Sequence, residues 1–320
     1  MYGVLALALG LTVYVAGVLL SVPRVMLGLN ASLLRVNEWI VWYSGVPMLA
    51  GLALAALDLF VCFPRKRRRD GVRFDPPAHT LVTVVLTAYN DEDSVAAAVR
   101  DFRAHPSVGT VIVVSNASND ATMARAAQAG ALTFNEPRRG YGHCVHRCLT
   151  EAVRLGESEL IVLCEGDCTF RAYDIDKLLA YAPHGDIVSG SRTVERLRQH
   201  ATQLTTFMYY GNLAVAKLLE AKHLGRGTMT DMGTTYKLCR RGTLQRLLPV
   251  LHPERVNLAF NAYFIDTALA QGCVVIECPI TFHPRVGRSK GGNSSNWRAL
   301  SVGLRMIGGI VFGWPGKQLS

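Results

Sequence analysis

The sequence predicts an α/β protein built on a mostly parallel sheet, preceded by two apolar segments and closed by an amphipathic one. Three observations lead there. β-Branched runs alternate with helical stretches, three of those runs end in polar clusters, and the first 63 residues hold two long segments almost free of charge. Strands separated by helices imply crossover connections and parallel pairing, with a ligand crevice beyond the carboxyl ends of the strands.

Residues 2–22 carry no charge and are long enough for a membrane helix. Residues 39–63 form a second candidate span, with Asp58 its only charge and Trp39, Trp42 and Tyr43 as interfacial anchors at one end. The first segment lacks the basic leader and small-residue cleavage site of a signal peptide, so it reads as a retained anchor. Five consecutive cations, Arg65 to Arg69, follow the second span and place that end in the cytoplasm by the positive-inside bias. Two spans return the N-terminus to the same side. Arg24 and Arg35 in the connecting segment, Pro23 to Glu38, work against this orientation, and a re-entrant hairpin is the competing reading. The expected organisation is a two-helix transmembrane hairpin over residues 1–64, a basic linker over 65–79, an α/β domain over 80–292 and a C-terminal interfacial segment over 293–320.

The domain opens with a β-branched run, Thr80 to Ala88, that ends in Tyr89-Asn90-Asp91-Glu92, and an alanine-rich helix then extends to Arg103. A second strand, Thr110 to Val114, runs into Ser115-Asn116-Ala117-Ser118-Asn119-Asp120 and a helix through Ala127. Gly140-Tyr141-Gly142, behind Arg138 and Arg139, opens another helix; a glycine turn beside two guanidinium groups suits a diphosphate. The third strand, Leu160 to Cys164, ends in Glu165-Gly166-Asp167. Residues two apart on a strand share a face, so the two carboxylates emerge side by side in an arrangement that suits a hard divalent cation, Mg²⁺ or Mn²⁺. An acidic turn closing a buried strand is the plainer alternative.

A formal net charge of +10 raises the question of nucleic acid. Much of the excess sits at residues 65–69 and 285–305, beside apolar segments, and no nucleic-acid-binding motif is present, so membrane lipid headgroups are the simpler partner. The eight cysteines show no paired Cys-x-x-Cys spacing and lie mostly in apolar runs, which reads as reduced core thiols; Cys144 and Cys148 lack the further cluster that zinc would need. From Asn293 to Gly313, apolar residues recur at near-helical spacing among arginines, as in an interfacial helix lying under the α/β domain, with packing against the N-terminal hairpin as the plainer alternative.

Six segments in order resemble the family 2 glycosyltransferases of the GT-A fold, in particular the polyprenyl-phosphate branch typified by dolichol-phosphate mannose synthase. They are Tyr89 to Glu92, Ser115 to Thr122, Glu165-Gly166-Asp167, Val188 to Arg192, Thr230 to Arg240, and Cys278 to Lys290, and the resemblance covers roughly residues 80–292. It implies a metal-dependent, membrane-bound enzyme that moves a sugar from a nucleoside diphosphate sugar to a polyprenyl phosphate with inversion. It sits in the plasma membrane, if the cell is bacterial, with its GT-A catalytic domain in the cytoplasm and room for a homo-oligomer.

By the same resemblance, Asp167 and Glu165 hold Mg²⁺ or Mn²⁺. Tyr89, Asn90, Glu92, Asn116, Asp120, Arg138, Arg139, Gly140, Glu165, Ser191 and Arg192 contact the donor. Arg285, Ser289 and Lys290 take the acceptor phosphate, and Asp231 and Arg285 act in catalysis, Asp231 by positioning with some base assistance. An acceptor phosphate is already anionic near neutral pH, so a strong general base is less needed. Ser115 and Asn116 stand where the family has two aspartates, and Glu165 replaces the first aspartate of the metal motif. Two alternatives are a family 2 transferase acting on a glycolipid or polysaccharide and an inactive membrane protein that binds nucleotide sugars. The Gln-x-x-Arg-Trp motif of processive synthases is absent.

Overall fold

The computed structural model describes residues 2–28, 30–67, 71–199, 202–287 and 296–314. The chain falls into two compact units, Met1–Asp70 and Gly71–Ser320.

In the first unit, α1 (Tyr2–Met26) packs against α2 (Asn30–Tyr43) and α3 (Gly45–Leu57); a widened turn, Asp58–Cys62, continues into α4 (Phe63–Arg67). The connection expected over Pro23 to Glu38 is much shorter than that. Helix α1 runs on to Met26, Gly28 reverses the chain at φ +66°, and α2 begins at Asn30. Gly3, Gly10 and Gly17 recur every seventh residue and keep one face of α1 turned to its neighbours. A β-carbon at Gly10 would lie 2.3 Å from Met48 Cγ and 2.8 Å from the Ser44 carbonyl, so the helices touch backbone to backbone. Asn37 Nδ2 ties the pair by donating to Ser21 Oγ at 2.9 Å. Leu5–Met26 and Leu33–Arg65 are long and apolar enough to cross a membrane by length and composition, and only 11% of either apolar window is buried within the chain.

The second unit is one mixed sheet between two helical layers. Its elements are β1 (Val82–Ala88), α5 (Val95–Arg103), β2 (Val108–Ser115), α6 (Thr122–Gln128), β3 (Leu132–Asn135), α7 (Tyr141–Leu155), β4 (Leu160–Glu165), α8 (Ile175–Tyr181), β5 (Ile187–Ser191), α9 (Thr206–Lys222), β6 (Lys237–Arg240), α10 (Arg241–Leu247), α11 (Phe260–Ala270), β7 (Val275–Pro279) and α12 (Asn296–Phe312). The strand order is β3-β2-β1-β4-β6-β5-β7. All pairs are parallel except those of β6, which runs antiparallel between β4 and β5.

The period of two along each strand divides the core. Val85, Ile112, Ile161 and Leu163 pack with α7 and α11, whereas Val84, Leu86, Val113 and Val162 pack with α5 and α8. Both faces are covered, which is why these strands read as continuous apolar runs. Register then places the chemistry. Ala88 pairs with Ser115 and Thr87 with Glu165, so β1, β2 and β4 end level with one another. The C-terminal segment is a helix that packs along α9, an arrangement the sequence did not suggest, and buries Met306, Gly309 and Ile310.

Candidate active site

Beyond the level ends of β1, β2 and β4 opens a cavity of about 620 Å³ whose walls include Asp91, Glu165, Asp167, Arg192 and Arg285. Asp167 is 2% exposed. Its Oδ1 accepts from the backbone N–H and the hydroxyl of Thr169, at 3.0 and 2.6 Å, and its Oδ2 lies 3.0 Å from Arg285 Nη1. The other arm of Arg285 reaches Asp91 Oδ1 at 2.6 Å, so one guanidinium bridges the ends of β1 and β4. Backbone bonds from His283 to Thr169 and from Val286 to Asp167 hold the arginine's segment in place.

Glu165, at the end of β4, keeps part of its surface in the cavity. Burial, with the charge of Asp167 beside it, pushes its carboxyl up to about 7. Among the described residues no group of three or more His, Cys, Asp or Glu side chains forms a metal cage. Two neighbouring carboxylates with surplus negative charge are nevertheless the oxygen set on which Mg²⁺ or Mn²⁺ rests when a substrate's phosphates supply the remaining positions, so the residues fit such an ion.

Several side chains expected to contact the donor are bound to neighbouring loops and are not among the residues that line the cavity. Asn90 Oδ1 accepts from Asn119 N at 2.9 Å, Glu92 Oε2 accepts from Ala121 N at 3.1 Å, and Asp120 accepts from Glu92 N and caps α6 through Thr122. These three brace the β1 loop against the β2 loop, because short polar side chains there meet unpaired backbone N–H groups before they meet solvent. Arg138 also turns aside. Glu136, 1% exposed, captures it at 2.8 Å, and that pairing holds the Glu136 carboxyl below its ordinary range. Tyr89, Arg139 and Gly140 do line the cavity.

Asn116 lines the cavity with its hydrogen bonds already committed. Its amide donates to the carbonyls of Glu136 and Arg138, at 3.2 and 2.7 Å, and its oxygen accepts from Gly140 N at 2.8 Å. It therefore clamps the 136–140 loop, and Gly140, at φ +134°, tolerates the resulting turn. An aspartate here would set its charge against two carbonyl oxygens, which accounts for the amide at a position where the family carries a carboxylate. Ser115 is buried against Ser118, and Ser191 sits in a hydroxyl cluster with Thr193 and Thr230 behind the wall.

Asp231 is 1% exposed and bound in two places by Arg192, Nε to Oδ2 at 2.7 Å and Nη2 to Oδ1 at 2.8 Å. Burial works to raise its carboxyl, but the Arg192 guanidinium and the backbone N–H groups of Arg192 and Gly233 hold it below the ordinary value. A carboxylate so committed is a poor base, which corrects the expectation of base assistance; it positions Arg192, whose guanidinium also lies 5.1 Å over the Phe282 ring. Ser289 and Lys290 lie outside the described residues. Sequence reasoning missed Asp91, inside a motif already singled out, and Tyr141, Thr235 and Asn261, which approach Glu165 only through the fold.

The opposite wall of the cavity is apolar, formed by Phe207, Met208 and Val215 of α9 with Leu300, Leu304 and Ile307 of α12.

Solved structures of similar fold include glucosyl-3-phosphoglycerate synthase from Mycobacterium tuberculosis in complex with Mn²⁺ and UDP-glucose, at TM-score 0.52 and 17% identity over 72% of this chain and 78% of that one. The same synthase in complex with phosphoglyceric acid matches at TM-score 0.52 and 18% identity, over 72% and 79%. Among curated relatives, the low-salt glycan biosynthesis hexosyltransferase Agl6 of Haloferax volcanii is 26% identical over 249 residues, 75% of this chain and 57% of that protein. The uncharacterized glycosyltransferase Rv0539 of M. tuberculosis is 37% identical over 112 residues, 35% of this chain and 48% of that one, so the chain spans about half the length of these relatives. A dolichyl-phosphate hexose transferase of H. volcanii is 25% identical over 210 residues, 65% of this chain and 86% of that protein. The family model for glycosyl transferase family 2 matches residues 83–248, from the first strand through the loops that carry Glu165, Asp167 and Asp231 to the end of α10, and with that match the chain belongs to glycosyl transferase family 2.

Proposed function

We propose that this enzyme transfers a hexosyl group from a nucleoside diphosphate sugar to a polyprenyl phosphate at a membrane surface. One observation carries the reading: the cavity runs unbroken from Asp167 and Arg285 to the apolar wall of α9 and α12, so an anionic head and a hydrocarbon tail have adjoining places. The names of two relatives support it, a dolichyl-phosphate hexose transferase and a synthase bound to Mn²⁺ and UDP-glucose.

Asp167 and Glu165 would hold Mn²⁺ or Mg²⁺, which when bound neutralises charge on the departing diphosphate. Arg192, fixed by Asp231, presents a guanidinium to the same space. Arg285 serves the acceptor phosphate, leaving Asp167 to the cation. A phosphate oxygen needs no strong base, in keeping with the commitment of Asp231 to Arg192. The N-terminal helices anchor the enzyme with its site facing the cytoplasm, where nucleotide sugars are made.

A glycolipid hydroxyl is the second reading. Asp91 favours it, being a carboxylate on the cavity wall placed to take a proton once Arg285 moves. Purified full-length chain in lipid vesicles, given a panel of labelled nucleotide sugars with polyprenyl phosphate or with a glycolipid, separates the two. Transfer to polyprenyl phosphate is the expected result. Transfer only to the glycolipid hydroxyl overturns it.

A further inference from the structure

Behind Glu165 lies a chain of hydrogen bonds with a single direction, and it starts at a buried cation. Lys237, at the head of β6, is 1% exposed; its ammonium donates to the Thr234 carbonyl and, at 3.4 Å, to Asn261 Oδ1. The Asn261 amide donates to the Tyr141 hydroxyl oxygen and to the Gly233 carbonyl, each at 3.2 Å. Tyr141 Oη is 2.5 Å from Thr235 Oγ1, and Thr235 Oγ1 donates to Glu165 Oε1 at 2.6 Å. A hydroxyl has one proton to give. Thr235 gives its own to the carboxylate, so the bond between the two hydroxyls runs from tyrosine to threonine, and Tyr141 in turn accepts from Asn261.

The sheet builds this arrangement. Leu163 pairs with Lys237 in the antiparallel ladder, and the same register carried two residues further sets Thr235 opposite Glu165. Tyr141 arrives from the start of α7, Asn261 from α11, so three separate elements converge on one carboxylate. A glutamate has one more rotatable bond than an aspartate and costs more entropy to hold still. The hydrogen bond from Thr235 removes that freedom on the side away from the cavity.

Resting on the reading of Glu165 and Asp167 as the cation pair, we propose that Lys237, Asn261, Tyr141 and Thr235 are positioning residues that fix the Glu165 rotamer beside Asp167 and so set the affinity for the divalent cation. Tyr141 and Asn261 also reach the cavity wall, whereas Thr235 and Lys237 do not, and the positioning role requires no contact of the four with donor or acceptor. Groups of this kind behind a metal-binding side chain fix its orientation, and their removal typically costs between ten- and a hundredfold in metal affinity.

The test uses the full-length protein and Mn²⁺ alone, with free and bound ion separated by EPR. Thr235→Val and Tyr141→Phe keep shape and remove one hydroxyl each; both are expected to raise the Mn²⁺ dissociation constant roughly tenfold. Thr235→Ser is expected to restore it. In a Glu165→Gln background, Thr235→Val should add nothing, because its effect passes through that carboxylate. A structural role alone would lower the melting temperature of Thr235→Val and leave Mn²⁺ affinity at the wild-type value, and that result overturns the proposal. So does a full additional loss in the Glu165→Gln background. Absence of Mn²⁺ binding by the wild type would remove the cation reading and this inference with it, whereas equal binding by wild type and variants removes the inference alone.

Discussion

Beneath the ends of β1, β2 and β4 the cavity wall is polar, and its side chains are held by partners: Asn116 by three backbone groups, Arg192 by Asp231, Asp167 by Thr169 and Arg285. Along α9 and α12 the wall is mostly aliphatic and offers area more than bonds. The polar half is organised before a ligand arrives, so its geometry discriminates and little ordering entropy remains to be lost on binding. The apolar half selects by shape and by surface removed from water, at roughly 25 cal/mol per Å², and accepts chains of differing length. Damage to the first half should therefore be severe and local, and damage to the second gradual and confined to the acceptor.

Asp167→Asn is expected to have the largest effect. Asparagine keeps the oxygen that accepts from Thr169, so the loop should hold, while the charge that serves the cation and pairs with Arg285 disappears. A loss of about 4 kcal/mol in transition-state stabilisation, roughly a thousandfold in turnover, is expected from initial rates across a Mn²⁺ titration. Undiminished turnover in excess chelator would show that the polar half works without a cation.

The polar half also carries a pH signature. Burial pushes the Lys237 ammonium down from 10.5 to about 8. Between those values the unfolded chain binds more protons than the folded one, so the folded state gains stability as pH rises through the window. The burden on the folded state is complete below about 8 and gone above 10.5. Urea unfolding across that range should show wild type gaining up to about 3 kcal/mol relative to Lys237→Met. Parallel curves for the two proteins would mean that Lys237 titrates at its ordinary value.

Arg285→Ala probes the junction of the halves. Removing a charge-assisted phosphate contact should lower acceptor-dependent transfer by roughly ten- to a hundredfold, about 1.5 to 3 kcal/mol. Mn²⁺ binding should be kept or strengthened, because the guanidinium no longer competes for Asp167. Lysine should restore only part of the loss, since an ammonium cannot bridge two carboxylates as the planar fork does. Calorimetry of Mn²⁺ binding beside rates at varied acceptor separates these effects, and weakened Mn²⁺ binding with normal acceptor dependence would move Arg285 to the donor side.

The strands and their acidic ends were legible because apolar runs that stop at polar clusters carry both the sheet and the location of its crevice. Which polar residue faces the crevice was not. Asn90, Glu92 and Asp120 sit in the expected loops but are drawn to backbone N–H groups of the neighbouring loop, and Arg138 is drawn to Glu136, a pairing settled by burial rather than by spacing. Tyr141 and Asn261 are 120 residues apart, so no local pattern links them to Glu165. The amphipathic C-terminal helix was visible as such, yet its partner α9 is neither strongly periodic nor marked by a motif, and the groove between them arises only from packing.

That groove gives the smallest effect and the sharpest division between the halves. Gly303 of α12 lines the cavity, and a β-carbon built there meets nothing within 4 Å, so Gly303→Leu fills open space. Replacing glycine by leucine inside a helix should itself favour the fold by roughly 0.8 kcal/mol, so any loss of function cannot be assigned to unfolding. Gly309 provides the contrast, since a β-carbon there would lie 2.3 Å from the Trp314 ring and the same change should destabilise α12. If the aliphatic wall holds the acceptor's hydrocarbon, Gly303→Leu should raise the KM for a long-chain polyprenyl phosphate by about tenfold, or 1.4 kcal/mol. Binding of donor and Mn²⁺ should be untouched, and a water-soluble short-chain acceptor should be used as before, because its phosphate still reaches Arg285 without entering the groove. An unchanged KM for the long-chain acceptor in a stably folded Gly303→Leu protein would mean that the apolar half serves something other than the acceptor, and the lipid would then have to approach from the polar side.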